Sequence, residues 1–185
     1  MEEKFHHKKP PGWLVGALIA AEVLGVSVGA YLTRLHYQQA GSAVCDIEGT
    51  SFQCTEVATG PFSEIMGIPI SYLGVLTYLF CLVLTLLGTR PEKSRFHAHV
   101  PNYLFAVSLW CVVYSVFLAG VSTFLLDVFC LFCMTLWMIN VLLLVFSILW
   151  VRRGGEGVWR PLWEDFLDGV GMPATWAAAV LGGML

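Results

Sequence analysis

Two pairs of cysteines are where this chain can do chemistry. Cys45 and Cys54 lie in a stretch that also carries Asp46, Glu48, Glu56 and Glu64, and Cys130 and Cys133 form a C-x-x-C, Cys130-Leu131-Phe132-Cys133. A thiolate is a nucleophile and a metal ligand, and paired thiols exchange with other disulfides. At i, i+3 on a helix two thiols share a face and can bond with small adjustments. Simpler readings stand beside this one. A C-x-x-C in an apolar helix can be two packing thiols, since free cysteine behaves as a small hydrophobe. Structural zinc wants four tetrahedral ligands, and the residues around Cys130 and Cys133 are apolar, so no metal is expected. Cys45 and Cys54 can also be an ordinary loop-stapling disulfide. Cys81 and Cys111 fall within apolar runs away from either pair and read as packing residues.

The elements that position these cysteines are set by composition. Of the 185 residues, 57% are hydrophobic and 12% charged, where about 45–50% and 25% are usual in globular chains. The mean hydropathy is +0.74. Disorder, a nucleic-acid-binding module and a water-exposed enzyme are excluded together. The net charge of −3 decides little, because in a membrane the placement of charges outweighs their sum. The expected fold class is an all-α integral membrane protein, a four-transmembrane-helix bundle with a long outer loop. Spans are expected at residues 13–35, 68–88, 101–123 and 124–150. The first is too long for the apolar core of a signal peptide, about 7–15 residues, and is expected to be retained. Pro101 suits the opening turn of the third span. Gly120, Ser122 and Thr123 offer the turn to the fourth, as a tight antiparallel hairpin.

Charge sets the expected direction. Lys4, Lys8 and Lys9 precede span one, Arg90, Lys93 and Arg95 separate spans two and three, and Arg152 and Arg153 follow span four. The stretch 36–67 holds no lysine or arginine. The positive-inside rule then puts both termini, including the tail 1–12, and the 90–95 loop in the cytoplasm. Both cysteine pairs fall on the outer, oxidising side, where disulfides persist. That shared face favours a redox role over packing. A helix N-terminus favours the thiolate of the C-x-x-C, while apolar burial opposes it. A mobile outer pair can collect electrons from a soluble thiol protein, and a buried pair can pass them to a lipid-soluble two-electron acceptor, which is a quinone. After span four, Trp159, Leu162, Trp163, Phe166, Leu167 and Val170 follow an i, i+3, i+4 rhythm, so 151–185 reads as an interfacial segment.

Laid out in this order, the chain resembles the vitamin K epoxide reductase family in its bacterial, disulfide-forming type. The matching features are Y-L-x-x-x-H (Tyr31, Leu32, His36), then Cys45 and Cys54, then G-I-P-I-S-x-L-G (Gly67 to Gly74), then C-L-F-C-M-T-L-W-M-I-N from Cys130 to Asn140. In the DsbB type of quinone-linked oxidase the C-x-x-C comes first; here the order is reversed. The resemblance implies that Cys133 reacts with quinone or a quinone epoxide, that Cys130 resolves it and exchanges with Cys54, and that Cys45 and Cys54 shuttle electrons from a partner. It implies ubiquinone or menaquinone as acceptor, and a DsbA-like or thioredoxin-like periplasmic protein as partner, in the inner (cytoplasmic) membrane. A helix lying flat in the outer loop, over Glu56 to Met66, is implied as the cap of the quinone pocket. The strict quinone or vitamin K epoxide reductase is the alternative activity, and a non-enzymatic membrane protein with structural or metal-binding cysteines the alternative class.

Several positions depart from the family pattern or stand outside it. Gly60 takes the place of the usual Ser or Thr six residues after the second shuttle cysteine, with Thr59 and Ser63 beside it. Trp137 stands where the animal enzymes have a quinone-bonding tyrosine, and apolar Ile70 gives no counterpart to their quinone-binding asparagine. Thr59, Ser63, Phe129, Phe132 and Trp137 are the candidate quinone contacts; the aromatics suit stacking or plain packing equally. Glu22, in mid-span, reads first as a protonated carboxyl bonded within the bundle and second as a proton donor to quinone. Asp127 reads as a helix-start acid, and Gly25 and Gly29 as a G-x-x-x-G packing face.

Overall fold

A computed structural model describes residues 10–38, 43–47, 49–90 and 95–154, the side chains of 95–98 excepted. The elements in order are α1 (Gly12–Gln38), α2 (Cys54–Thr59), β1 (Glu64–Ile65), β2 (Ile68–Pro69), α3 (Ile70–Gly88), α4 (Arg95–Val121), a π-helical segment (Ser122–Leu126) and α5 (Leu131–Gly154). Four helices, Gly12–Gln38, Ile70–Gly88, His99–Leu126 and Leu131–Arg153, are long and apolar enough to cross a membrane. The protein is an all-α, four-helix membrane bundle. It inverts the soluble pattern on its flanks, where Trp110, Phe117 and Val83 are exposed and suited to lipid.

The inside is held by close helix approach. A Cβ on Gly25 would fall 2.7 Å from the Tyr78 ring, and one on Gly29 would fall 2.9 Å from Val75 Cγ2, so these two glycines let α1 lie against α3. Leu14, Leu18, Tyr78, Cys81, Leu104, Ile139, Leu143 and Trp150 form the main core. Cys81 is buried there, as a packing thiol would be. Glu22 is fully buried and accepts a 2.7 Å bond from Thr85 Oγ1 on α3. At one end of the bundle Arg153 lies over the Trp13 ring, 6.0 Å from its centroid, and Gly88 meets Trp150 and Val100. Both cysteine pairs lie at the other end.

Three local expectations are corrected. The third helix begins at Arg95 and carries Pro101 inside it. No turn forms at Gly120, Ser122 and Thr123; helical structure continues to Leu126, and the chain reverses at Asp127, which takes the left-handed conformation (φ 53, ψ 21). A short polar side chain tolerates that conformation where a branched apolar one does not, so Asp127 makes the turn instead of starting a helix. Ser122 Oγ donates to the Val128 carbonyl and fastens the reversal. Consequently the C-x-x-C lies at the very start of α5 and not, as expected, inside a span that begins at residue 124. In the outer loop the short α2 begins at Cys54, and where a helix was expected up to Met66 the chain makes a two-residue hairpin, β1–β2, turning through Met66 (φ 54) and Gly67 (φ 80). The interfacial reading of 151–185, Trp159 to Val170 included, lies outside the described residues beyond 154, as do Lys4, Lys8, Lys9 and Lys93.

Candidate active site

The outer loop is folded around one carboxylate. Asp46 accepts hydrogen bonds from Ala43 N–H (2.8 Å), Thr55 N–H (3.0 Å) and Thr55 Oγ1 (2.5 Å), with the Cys54 N–H nearby. It thereby satisfies the free amides that begin α2. Partial burial pushes its pKa up, but the bonds from Thr55 and Ala43, helped by the Cys54 N–H, prevail and hold it below the ordinary carboxylate value. This scaffold closes a disulfide between Cys45 and Cys54, with Cα atoms 5.9 Å apart. Both cysteines are buried.

A single parallel bridge joins this loop to the C-x-x-C. Phe129 N–H donates to the Ser51 carbonyl (2.7 Å), and Gln53 N–H donates to the Phe129 carbonyl (3.0 Å). Cys54 follows one strand of the bridge and Cys130 the other. Both end up in one buried cluster with Leu32, Ala43 and Cys45, against which Cys133 packs.

Cys130 is the residue that caps α5. Its carbonyl accepts the Met134 N–H (3.0 Å), while its sulfur accepts the Cys133 N–H (3.1 Å) and the Cys133 thiol (2.6 Å). The expected shared helix face is therefore replaced by a cap and a first-turn residue. The bond from the Cys133 thiol, helped by backbone N–H groups, outweighs burial and the nearby Asp46 charge, and lowers the Cys130 pKa below that of an ordinary thiol. Of the pair, Cys130 is therefore the one whose thiolate is favoured.

Cys133 opens onto a cavity of about 380 Å³ walled by α3, α4 and α5 and roofed by α2 and the hairpin through Val57, Ala58, Phe62, Ser63 and Ile65. That volume lies within the roughly 300–1,000 Å³ usual for small-molecule sites. No charged side chain lines it among the described residues. Of the candidate quinone contacts, Ser63 and Trp137 line the cavity. The others are occupied elsewhere: the Phe129 ring faces Phe52 (6.3 Å), the Phe132 ring faces Tyr31 (4.8 Å), and Thr59 donates to the Thr55 carbonyl (2.8 Å). His36 ties the roof to α1: its Nδ1 donates to the Ala58 carbonyl (2.7 Å), and its Nε2 stands 3.8 Å from Glu64. Glu22 does not reach the cavity wall, whereas Cys111 does.

Tyr78, Ser115 and Asn140 also line the cavity; sequence reading assigned none of them a role, although Asn140 closes the matching motif. A signal was available, because Cys133, Leu136, Trp137 and Asn140 follow i, i+3, i+4, i+7, one face of a helix. An apolar cavity with few polar groups fits a quinone head. A metal fits less well. Cys45, Asp46 and Cys54 offer donor atoms within 4.8 Å of one another, but the two sulfurs are bonded together and the carboxylate is already engaged.

Among curated proteins, none matches the chain. The sequence profile of the vitamin K epoxide reductase family matches residues 16–148, which take in both cysteine pairs and the cavity. The chain therefore belongs to the vitamin K epoxide reductase family, which makes it a multi-pass membrane oxidoreductase with disulfide-forming cysteines.

Proposed function

We propose that this protein moves electrons from a dithiol protein on the outer side of the membrane, through its two cysteine pairs, to a quinone in the cavity. The partner, a DsbA-like or thioredoxin-like protein, gives up two thiol hydrogens as its own disulfide forms and the Cys45–Cys54 bond opens. Cys54 then attacks Cys130 in a Cys130–Cys133 disulfide, and Cys133 leaves as thiolate. Cys45 attacks Cys54, closing the outer disulfide and freeing Cys130. The reduced inner pair re-forms its disulfide as ubiquinone or menaquinone takes two electrons and two protons. The bundle lies with its Arg90, Arg152 and Arg153 end in the cytoplasm and its cysteine end outside.

The observation that carries this reading is the division of the inner pair: Cys130 packs with Cys54, while of the two Cys133 alone faces the cavity. Helix capping supports the thiolate at Cys130, and the apolar wall with Trp137 and Ser63 supports a ring-shaped acceptor. The test is quinone reduction by a reduced thioredoxin-fold donor in detergent. Wild type consumes one quinone per donor disulfide formed, and Cys133→Ala falls to background. Turnover of Cys133→Ala at the wild-type rate would end the proposal. Alkylating thiols in intact cells with and without respiratory quinone gives the second readout: depletion should leave all four cysteines reduced.

A further inference from the structure

The cavity wall holds its polar groups in a fixed order. Tyr78 Oη donates to Asn140 Oδ1 (2.7 Å), Asn140 Nδ2 donates to Ser115 Oγ (2.8 Å), and Ser115 Oγ donates to the Cys111 carbonyl (2.8 Å). The direction is forced from the far end. A carbonyl only accepts, so Ser115 spends its hydrogen there and must accept from the amide, which turns Oδ1 toward Tyr78. All three side chains are buried, and all three line the cavity.

An amide nitrogen has two hydrogens and Ser115 takes one. The other has no partner among the described residues, although Asn140 is only 9% exposed. Most hydroxyls on the same wall have no hydrogen to spare: Ser63, Thr77, Tyr78, Ser115 and Ser122 each donate to an oxygen of the protein. A free amide N–H in an apolar cavity is costly unless something there accepts from it. Its position also suits a ring. Asn140 lies seven residues after Cys133 on the same face of α5, about 10 Å along the axis by helix rise. Both side chains line the same cavity.

We infer that Asn140 donates its second N–H to a carbonyl of the bound quinone, and that Tyr78 and Ser115 are positioning residues that fix the amide for this. Cys133 meets the acceptor at one end and Asn140 holds it at the other. The inference rests on the quinone reading of the cavity and adds the group that orients the ring.

The chain contains only two asparagines, Asn102 and Asn140, which makes a direct test available in the unaltered protein. Asn102 is buried but does not line the cavity. With 15N-labelled asparagine, titration with menadione should shift one hydrogen of one side-chain amide pair, assigned to Asn140, and leave Asn102 still. Asn140→Leu should then raise the KM for menadione about 10-fold, the loss of one hydrogen bond, with donor-to-Cys130/Cys133 exchange unchanged in a single turnover without quinone. Tyr78→Phe should give a smaller rise in KM. If wild type neither binds nor reduces menadione, the functional reading itself has failed. If wild type reduces it while both amide pairs stay still, or if Trp137→Phe and not Asn140→Leu raises KM, the Asn140 inference alone is overturned.

Discussion

Phe52 and Phe129 pair as a single parallel bridge, and that one contact brings the outer disulfide loop to the start of the helix bearing the second cysteine pair. Two backbone bonds on either side of Phe129 fix its register. A slip by one residue would point Cys54 and Cys130 to opposite faces.

Gln53→Pro removes the N–H that bonds the Phe129 carbonyl, at a backbone φ of −136 that proline cannot adopt. Exchange between the outer and inner pairs should slow by about 10-fold or more, since misplacement of roughly 1 Å can cost 100-fold. Single-turnover thiol trapping checks this, with the Cys45–Cys54 bond expected to form as before.

The lowered pKa of Cys130 predicts a pH profile. Because the shift is downward from the ordinary 9.0, thiolate is already present below that pH and disappears only as pH falls through the lowered value. Removing the Cys133 thiol, the largest cause, should move the midpoint of Cys130 alkylation to higher pH. Iodoacetamide labelling of the reduced protein across pH 5–10, compared with Cys133→Ala, measures it; coincident midpoints would contradict the role given to the Cys133 thiol bond.

Asp46 gives the opposite-end signature in acid. Its folded pKa is held below the ordinary 3.8, so its support of the loop is complete above that pH and is lost as pH falls through the lowered value. Hydrogen exchange at the Thr55 amide should accelerate only in that acid range in wild type. In Asp46→Asn it should be fast at neutral pH as well.

Gly25→Ala places a methyl group 2.7 Å from the Tyr78 ring, which is itself tied to Asn140. Overpacking of this kind costs about 1–3 kcal/mol. Thermal unfolding in detergent should show the loss, and the quinone KM should rise as well. Thr85→Val, which strips the only donor to buried Glu22 among the described residues, should also destabilise by about 1–3 kcal/mol but leave that KM alone.

Much of this architecture was legible in the sequence because lipid imposes a simple rule: about 20 apolar residues cross, and backbone groups must be satisfied internally. Four spans and two cysteine pairs followed from that. The reversal at Asp127 did not, because Val121 to Phe129 stays largely apolar and the break is made by one left-handed residue and a bridge to Ser51. Nor did composition tell which aromatics face the cavity. Phe132 and Trp137 look alike in sequence, but Phe132 turns to Tyr31 on α1 while Trp137 shares the face of Cys133. Tyr78 and Asn140 were missed because their partnership joins residues 62 apart in sequence.

The central claim is that electrons pass between Cys54 and Cys130, and that Cys133 serves the cavity alone. It is tested most directly by trapping the intermediate. In Cys45→Ser/Cys133→Ser, with Cys54 and Cys130 left as the reactive thiols, mild oxidation should give a Cys54–Cys130 disulfide in near-stoichiometric yield by peptide mass spectrometry. In Cys45→Ser/Cys130→Ser, Cys54 and Cys133 should stay unlinked. Equal yields from the two proteins, or a Cys54–Cys133 bond as the main product, would contradict the relay.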